Sequence, residues 1–412
     1  MIIILSNFEN SSFFPLESIT FAPMNNIKHI LLALFLTIVT GVRANPVDSI
    51  EISLLTCSPH NEVYSLYGHT ALRIRDSISK QDWAVNYGVF DFSKPLFVPR
   101  FVFGLTDYEM GIFPFRLFCE EYKYFGSSIT EQVLDLTAEE KARIVQAILR
   151  NYEPQNREYR YNFFYKNCTT QARDVIYDNL PLNVTYKTNK TKDLPSYREL
   201  IHEYNEEFRW ARCGNDLLLG VGADKNTTID EQQFLPEKLM NDFDKAYVGN
   251  RKLVKEKKVL FEARKYEGTE VLPMMIKPTT ITPTHVGTAL LVLIIILTLA
   301  EWRTKKLFYW VDAILMVACG LAGILLFLML FSQHPTVRVN LQLLLLNPLP
   351  LFFVVRMIKR SRKKQTDWQF RMWIILICLF FAGSAIQHYA EGMHLLAASL
   401  LIRNVARFLK KA

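Results

Sequence analysis

The chain has 412 residues, which is enough for two or three domains. Half of the residues are hydrophobic and 21% are charged, a composition that excludes a chain disordered throughout. The formal net charge is +8, but much of the excess lies beside apolar runs, near residues 303–306, 356–364 and 407–411, which favours a membrane and not a nucleic acid as the partner.

The first apolar run lies near the N-terminus. Lys28 precedes the apolar residues 30–39, and a small residue, Ala44, follows, which is the pattern of a secretory signal peptide. We expect translation to start at Met24, with a doubtful leader over residues 1–23 and a signal peptide over residues 24–44. An uncleaved anchor helix is the alternative, and in both cases the chain after Ala44 is exported.

The next segment, residues 45–249, has the pattern of an α+β domain. Strands are predicted at residues 50–56, 70–75 and 83–88, with the second and third antiparallel, and helices at residues 138–151 and 169–180. The first helix begins at a capping box formed by Thr137 and Glu140. Residues 213–245 are expected to be folded, and the basic, then Pro/Thr-rich residues 250–283 to be a linker.

Apolar runs from residue 284 to residue 412 predict an all-α transmembrane domain. Five spans are predicted, near residues 285–302, 307–331, 340–356, 370–387 and 391–408. If the α+β domain lies outside, all three basic blocks and the C-terminus face the cytoplasm, as the positive-inside rule requires.

Cys168 is the leading candidate for a nucleophile. It lies where a loop becomes a helix, and the unpaired amides and positive end of a helix favour the reactive thiolate. The same amides could form half of an oxyanion hole. A buried structural cysteine or a disulfide partner is the alternative.

His69 and Asn86 are the candidate partners of Cys168. His69 begins the second strand, and a histidine is the natural base for a thiol because it can accept and return a proton near neutral pH. Asn86 is on the neighbouring strand and could hold the imidazole in one tautomer. A structural hydrogen-bonding role for His69 and a strand-end role for Asn86 are the alternatives.

The remaining exported cysteines, Cys57, Cys119 and Cys213, leave two arrangements open. With Cys168 they could form two disulfides, or one disulfide beside a free thiol and a nucleophile. A metal site of Cys57, His60 and His69 is disfavoured because the chain has no second ligand cluster and no CxxC pair. We therefore predict no metal and no cofactor.

The outer ends of the predicted spans carry polar residues that are candidates for substrate binding: His334, Asn340, His388, Glu391 and His394. Ionisable residues at membrane depth are often functional. The alternative is that these side chains lie in the water of the lipid headgroup layer.

Several segments together resemble the Lnb-type lipoprotein N-acyltransferases. The specific ones are Tyr67-Gly68-His69-Thr70 and Asn167-Cys168-Thr169-Thr170, and Asn86-Tyr87-Gly88 lies between them. The membrane part is similar through looser motifs, Gln333-His334-Pro335, Asn347-Pro348-Leu349 and Glu391-Gly392-Met393-His394. The resemblance covers the mature chain, in order.

The resemblance implies a circularly permuted papain-like (NlpC-like) exported domain, in which the histidine precedes the cysteine and the strand after the histidine supplies the third polar residue. It implies a bacterial inner-membrane enzyme that moves an acyl chain from a phospholipid, through a Cys168 thioester, to the amine of a diacylated lipoprotein. An intramolecular acyl shift stays open. The alternatives are a membrane-anchored cysteine peptidase or amidase acting on cell-wall peptide, and a non-catalytic scaffold.

Overall fold

The computed structural model describes residues 47–60, 65–90, 95–96, 99–100, 103–186, 194–262 and 278–409. The predicted leader and signal peptide lie outside these residues, as does the middle of the predicted linker.

A seven-stranded antiparallel sheet forms the centre of the N-terminal domain, in the order β10-β5-β1-β2-β3-β4-β6. Its strands are β1 (Ile50–Cys57), β2 (His69–Asp76), β3 (Asp82–Val89), β4 (Asp107–Pro114), β5 (Ile129–Leu134), β6 (Glu158–Arg160) and β10 (Val254–Phe261). A smaller sheet contains β7 (Val184–Tyr186), β8 (Ala246–Val248) and β9 (Arg251–Lys252).

The three predicted strands and their pairing are confirmed. Strand β2 pairs with β1 so that His69 lies opposite Cys57, and with β3 so that Ala71 lies opposite Asn86. The start of β2 and the later half of β3 therefore meet at one end of the sheet, which brings His69 toward Asn86.

Seven helices of the described N-terminal domain surround the two sheets: α1 (Phe115–Tyr124), α2 (Ala138–Tyr152), α3 (Cys168–Tyr177), α4 (Tyr197–Asn205), α5 (Arg209–Leu218), α6 (Ile229–Gln232) and α7 (Pro236–Phe243). The predicted capping box at the start of α2 is confirmed, since Glu140 donates its amide to Thr137 and returns a carboxylate to the Thr137 amide. Apolar residues of α2 and α3, such as Ile144 and Ile176, are buried against Leu72 of β2.

The predicted linker over residues 250–283 is wrong in its first part. Strand β10 pairs with β5 along its length, and Val254 is buried. Residues 255–258 show no alternation of apolar and polar side chains. They belong to an edge strand with several exposed lysines, so their basic composition gave no strand signal in the sequence.

The C-terminal domain is helical: α8 (Pro283–Thr304), α9 (Tyr309–Met329), α10 (Leu349–Arg362), α11 (Gln369–Gly383) and α12 (Met393–Leu409). Within the described residues, three helical stretches are long and apolar enough to cross a membrane, namely α8, α9 and residues 341–362, which join a 3₁₀ turn to α10. Helix α11 is apolar but has only 15 residues, or about 22 Å. The five-span topology stays a prediction.

Two arginines and two carboxylates are buried together between helices of this domain. Arg403 contacts Glu301 and Asp312, and so does Arg407, at N–O distances of 2.6–3.2 Å. Opposite charges in equal number make this cluster neutral. Arg407, which belongs to the basic block near residues 407–411, is thus buried and paired.

The two domains contact each other through the backbone. The amide of Gly220 donates to Thr336 O and that of Val221 to Val339 O, each at 2.8 Å. A Cβ atom at Gly220 would lie 2.0 Å from Val339 O, so only a glycine allows this approach. The segment after α5 is therefore fixed against the connection between α9 and α10.

Candidate functional site

Cys168 is the first residue of α3, and Asn167 is the cap that fixes this helix start. The Asn167 side-chain oxygen accepts from the amides of Thr169 and Thr170, at 3.0 and 2.9 Å. Its amide group donates to Phe163 O and Phe234 O. Asn167 is an N-cap that the sequence interpretation did not single out, although an Asn three residues before a Thr is a capping signal. Cys168 is half-buried beside this cap.

His69 and Asn86 are brought together as predicted. His69 Nε2 lies 2.6 Å from Asn86 Oδ1. An amide oxygen can only accept, so Nε2 carries the proton and donates it. Nδ1 is then the ring nitrogen that can exchange a proton with a thiol.

Cys168 and His69 are close enough for each side chain to shift the pKa of the other. Burial raises the pKa of Cys168, but the charge of His69 and hydrogen bonds from His69, the Thr70 amide and the Thr169 hydroxyl outweigh burial and lower this pKa to about 7. Burial lowers the pKa of His69, and the charge of Cys168 and hydrogen bonds to Cys168 and Asn86 raise it above its ordinary value. The arrangement therefore favours a thiolate–imidazolium pair near neutral pH.

Tyr122 and Cys57 lie behind the imidazole. The Tyr122 ring is nearly parallel to that of His69, with centroids 6.2 Å apart, and Tyr122 and Cys57 belong to one buried cluster. Burial raises the pKa of Cys57 well above its usual value, so this thiol does not compete as a nucleophile. No local signal ties Tyr122 to His69, because helix α1 reaches the site only through the fold.

The predicted disulfides are absent. Every cysteine of the chain lies in its described part, and all six are free thiols. Both disulfide arrangements that the sequence left open are therefore wrong.

The disfavoured metal arrangement also finds no support. His60 Nδ1 lies 2.8 Å from Ser65 Oγ, and its ring stacks on Phe125 with centroids 4.7 Å apart. In the part of the chain that the structure describes, no group of three His, Cys, Asp or Glu residues could hold a metal ion.

Of the five residues predicted at the outer membrane face, His334 contacts the loop that leads into α3. Its Nδ1 accepts from the Asn162 amide at 3.4 Å, and Asn162 is in the loop that leads into α3. Asn340 is buried, donates to Leu217 O at 2.8 Å and accepts from the Gln387 amide at 2.9 Å. Asn340 thus stabilises the contact between the two domains.

The other three contact other parts of the protein. His388 donates to Asp224 at 3.1 Å, and Glu391 accepts from Arg209 Nε at 2.8 Å. Both bonds join the two domains. His394 is exposed, with its ring near Phe380 and Tyr389. The structure therefore does not gather these five residues into one site.

A domain built on antiparallel sheets and helices, joined to helices that can cross a bilayer, defines a membrane protein with a large domain outside the bilayer. Comparison with protein families identifies both parts. The family model described as the Lnb N-terminal periplasmic domain matches residues 41–204, and the Lnb transmembrane domain matches residues 276–412. Comparisons with curated proteins and with solved structures found no match.

The chain belongs to the Lnb family, as its motifs predicted. It is a lipoprotein N-acyltransferase-like membrane protein of the lipoprotein-maturation type, with a periplasmic domain and a transmembrane domain. These domains fit a protein of the bacterial inner membrane.

Proposed function

We propose that the protein transfers an acyl chain from a membrane phospholipid to the N-terminal amine of a diacylated lipoprotein, through a thioester on Cys168. One arrangement carries this proposal: Cys168 and His69 are close enough to shift each other's pKa, and His69 Nε2 is 2.6 Å from Asn86 Oδ1. Nucleophile, base and orienting group are thus within reach of one another, as covalent catalysis requires.

The first half-reaction forms the thioester. His69 takes the proton of Cys168, and the thiolate attacks an ester carbonyl of the phospholipid. A C–S bond forms, the C–O bond breaks, and the leaving alcohol takes the proton from His69, which releases a lysophospholipid.

The second half-reaction consumes the thioester. The free α-amine of the diacylglyceryl-modified cysteine attacks the carbonyl, a C–N bond forms and the C–S bond breaks. His69 accepts the amine proton and returns it to Cys168. The product is an N-acylated, triacylated lipoprotein.

The membrane domain holds the reaction at the bilayer, where both lipid substrates are found. Exposing an acyl chain to water costs about 0.8 kcal/mol for each CH₂ group, so both substrates stay at the bilayer. The loop that leads into α3 contacts His334, on a connection between membrane helices, which supports a site close to the bilayer. We extend the proposal to five spans, a cytoplasmic C-terminus and a permuted papain-like arrangement, supported by the order of β2, β3 and α3 along the chain.

Mass spectrometry tests the proposal. The full chain is mixed with phospholipid and a synthetic diacylated lipopeptide that has a free amine. We expect one added acyl chain on the lipopeptide, an equivalent amount of lysophospholipid, and a hydroxylamine-labile acyl adduct on Cys168. Cys168→Ala and His69→Ala should each abolish turnover, whereas Cys119→Ala, which removes a free thiol from helix α1, should retain it.

Each opposite outcome contradicts a separate part of the proposal. Wild-type turnover by Cys168→Ala or His69→Ala contradicts the role of that residue. An acylated peptide without lysophospholipid indicates a shift within the lipopeptide. No transfer by folded protein contradicts the function, and release of peptides from purified cell wall would then favour an amidase.

A further inference from the structure

We propose that the hydroxyl of Tyr159 donates a hydrogen bond to the oxyanion that forms when Cys168 attacks an acyl carbonyl. This assigns a catalytic residue to the proposed reaction and rests on that proposed function. Tyr159 is in strand β6, directly opposite Tyr108 of β4.

The hydroxyl of Tyr159 has no structural use in the described fold. Its oxygen is shielded from solvent and has no hydrogen-bond partner among the residues that the structure describes. A buried hydroxyl without a partner is destabilising, so its presence calls for an explanation. One explanation is that the partner of this hydroxyl is a ligand that is present only during the reaction.

Gly88 locates this hydroxyl with respect to the nucleophile. A Cβ atom at Gly88 would lie 3.5 Å from Cys168 Cβ and 3.8 Å from Tyr159 Oη. The missing side chain of Gly88, whose φ is +92°, therefore leaves a gap that both groups border. An acyl carbonyl bound at the sulfur can place its oxygen in that gap.

The helix start supplies too few donors by itself. The Thr169 and Thr170 amides donate to the Asn167 side chain, and the Gln171 amide donates to Asn167 O. The Cys168 amide is therefore the one amide of the first turn that does not donate to Asn167. An oxyanion hole normally has at least two donors, and Tyr159 provides the second.

The phenol is in the right protonation state for this role. Burial, and after it the neighbouring charge of Cys168, raises the pKa of Tyr159 well above its usual value. The hydroxyl therefore keeps its proton wherever the thiolate exists. In the reaction step this O–H only donates: the C–S bond forms, the carbonyl π electrons move to oxygen, and their return expels the leaving alcohol.

Two reactions of the same thiol separate this role from a structural one. Acylation of Cys168 by p-nitrophenyl butyrate passes through an oxyanion, whereas alkylation by iodoacetamide does not. In the detergent-solubilised full chain, Tyr159→Phe should lower the maximal acylation rate about 100-fold, as loss of an oxyanion donor does, with little change in the half-saturating ester concentration. Alkylation should keep its rate and its pH dependence.

Tyr87→Phe is the matched control. Tyr87 packs against Tyr159 with ring centroids 6.5 Å apart, but its hydroxyl bonds to Asn151. Tyr87→Phe removes a buried hydroxyl close to Tyr159 and should leave the acylation rate within about twofold of the wild-type rate.

The inference is overturned if Tyr159→Phe is acylated at the wild-type rate, or if its alkylation falls as much as its acylation. It stands, and the proposed function fails, if Tyr159→Phe is selectively slow with the ester while wild type never acylates the lipopeptide. Absence of any ester acylation of wild-type Cys168 overturns both.

Discussion

At the scale of single residues, the hydrogen bond between His69 and Asn86 contributes to the charge state of the candidate site. The pKa of His69 is raised in part by this bond, and the charged imidazole in turn lowers the pKa of Cys168 to about 7. The two groups titrate as a pair. Below pH 7 the thiol is protonated, and above the raised pKa of His69 the imidazolium that stabilises the thiolate is lost.

Asn86→Ala tests this coupling. Without the bond the imidazolium is less stable, so the pKa of His69 falls and that of Cys168 rises. We expect alkylation of Cys168 by iodoacetamide to have its midpoint near pH 7 in wild type and at higher pH in Asn86→Ala. One hydrogen bond contributes about 1 kcal/mol, or about 0.7 pKa unit, so labelling at pH 7 should slow about threefold.

Asn86→Asp is the control for this test, because a carboxylate still accepts from Nε2 and should keep the midpoint low. An unchanged midpoint in Asn86→Ala would show that Asn86 does not control the pair.

At the scale of elements, the start of helix α3 depends on one side chain. Asn167 caps two amides and also reaches the carbonyls of Phe163 and Phe234, so it joins the helix to two neighbouring segments. The position of Cys168 follows from these four bonds. A cap contributes about 1 kcal/mol, and a buried carbonyl left unpaired costs more.

We expect Asn167→Ala to lower the free energy of unfolding by about 2 kcal/mol, measured by chemical denaturation in detergent. Asn167→Ser keeps a capping oxygen but cannot reach the two carbonyls, so it should fall between wild type and Asn167→Ala. Equal stability of the Ser and Ala variants would contradict the capping contribution, and a Ser variant as stable as wild type would contradict the carbonyl contribution.

At the scale of the whole molecule, the periplasmic domain is fixed on the membrane helices by backbone contact and by charge. Gly220 and Val221 donate to the connection between α9 and α10, and Arg209 binds Glu391 at 2.8 Å. Arg198, almost fully buried, binds Asp216 and Asp224 and so stabilises the same segment. The candidate site and the membrane helices are therefore held in a fixed arrangement.

Gly220→Ala should disturb this attachment, because its Cβ atom would overlap Val339 O at 2.0 Å. We expect acyl transfer from phospholipid in bilayers to fall at least tenfold, since a misplaced site loses orientation, while acylation of Cys168 by a soluble ester persists. Assays of both reactions on one preparation measure the difference.

Gly214→Ala is the matched control, since a Cβ atom there meets nothing within 4 Å. Equal loss of both reactions in Gly220→Ala would indicate general misfolding, and no loss of either would contradict the importance of the attachment.

Local patterns in the sequence determined much of this protein. Alternating residues predicted β1, β2 and β3, the capping box predicted α2, and the apolar runs predicted the membrane domain, because each signal lies within one element. The motifs at His69, Asn86 and Cys168 also predicted the family before any contact was known.

Only the tertiary structure decided which residues meet. It paired the lysine-rich β10 with β5 and left the four exported cysteines as free thiols. It also used Glu391 and His388 to join the domains. These outcomes depend on pairing between segments distant in the chain, and periodicity within a segment carries no information about its distant partner.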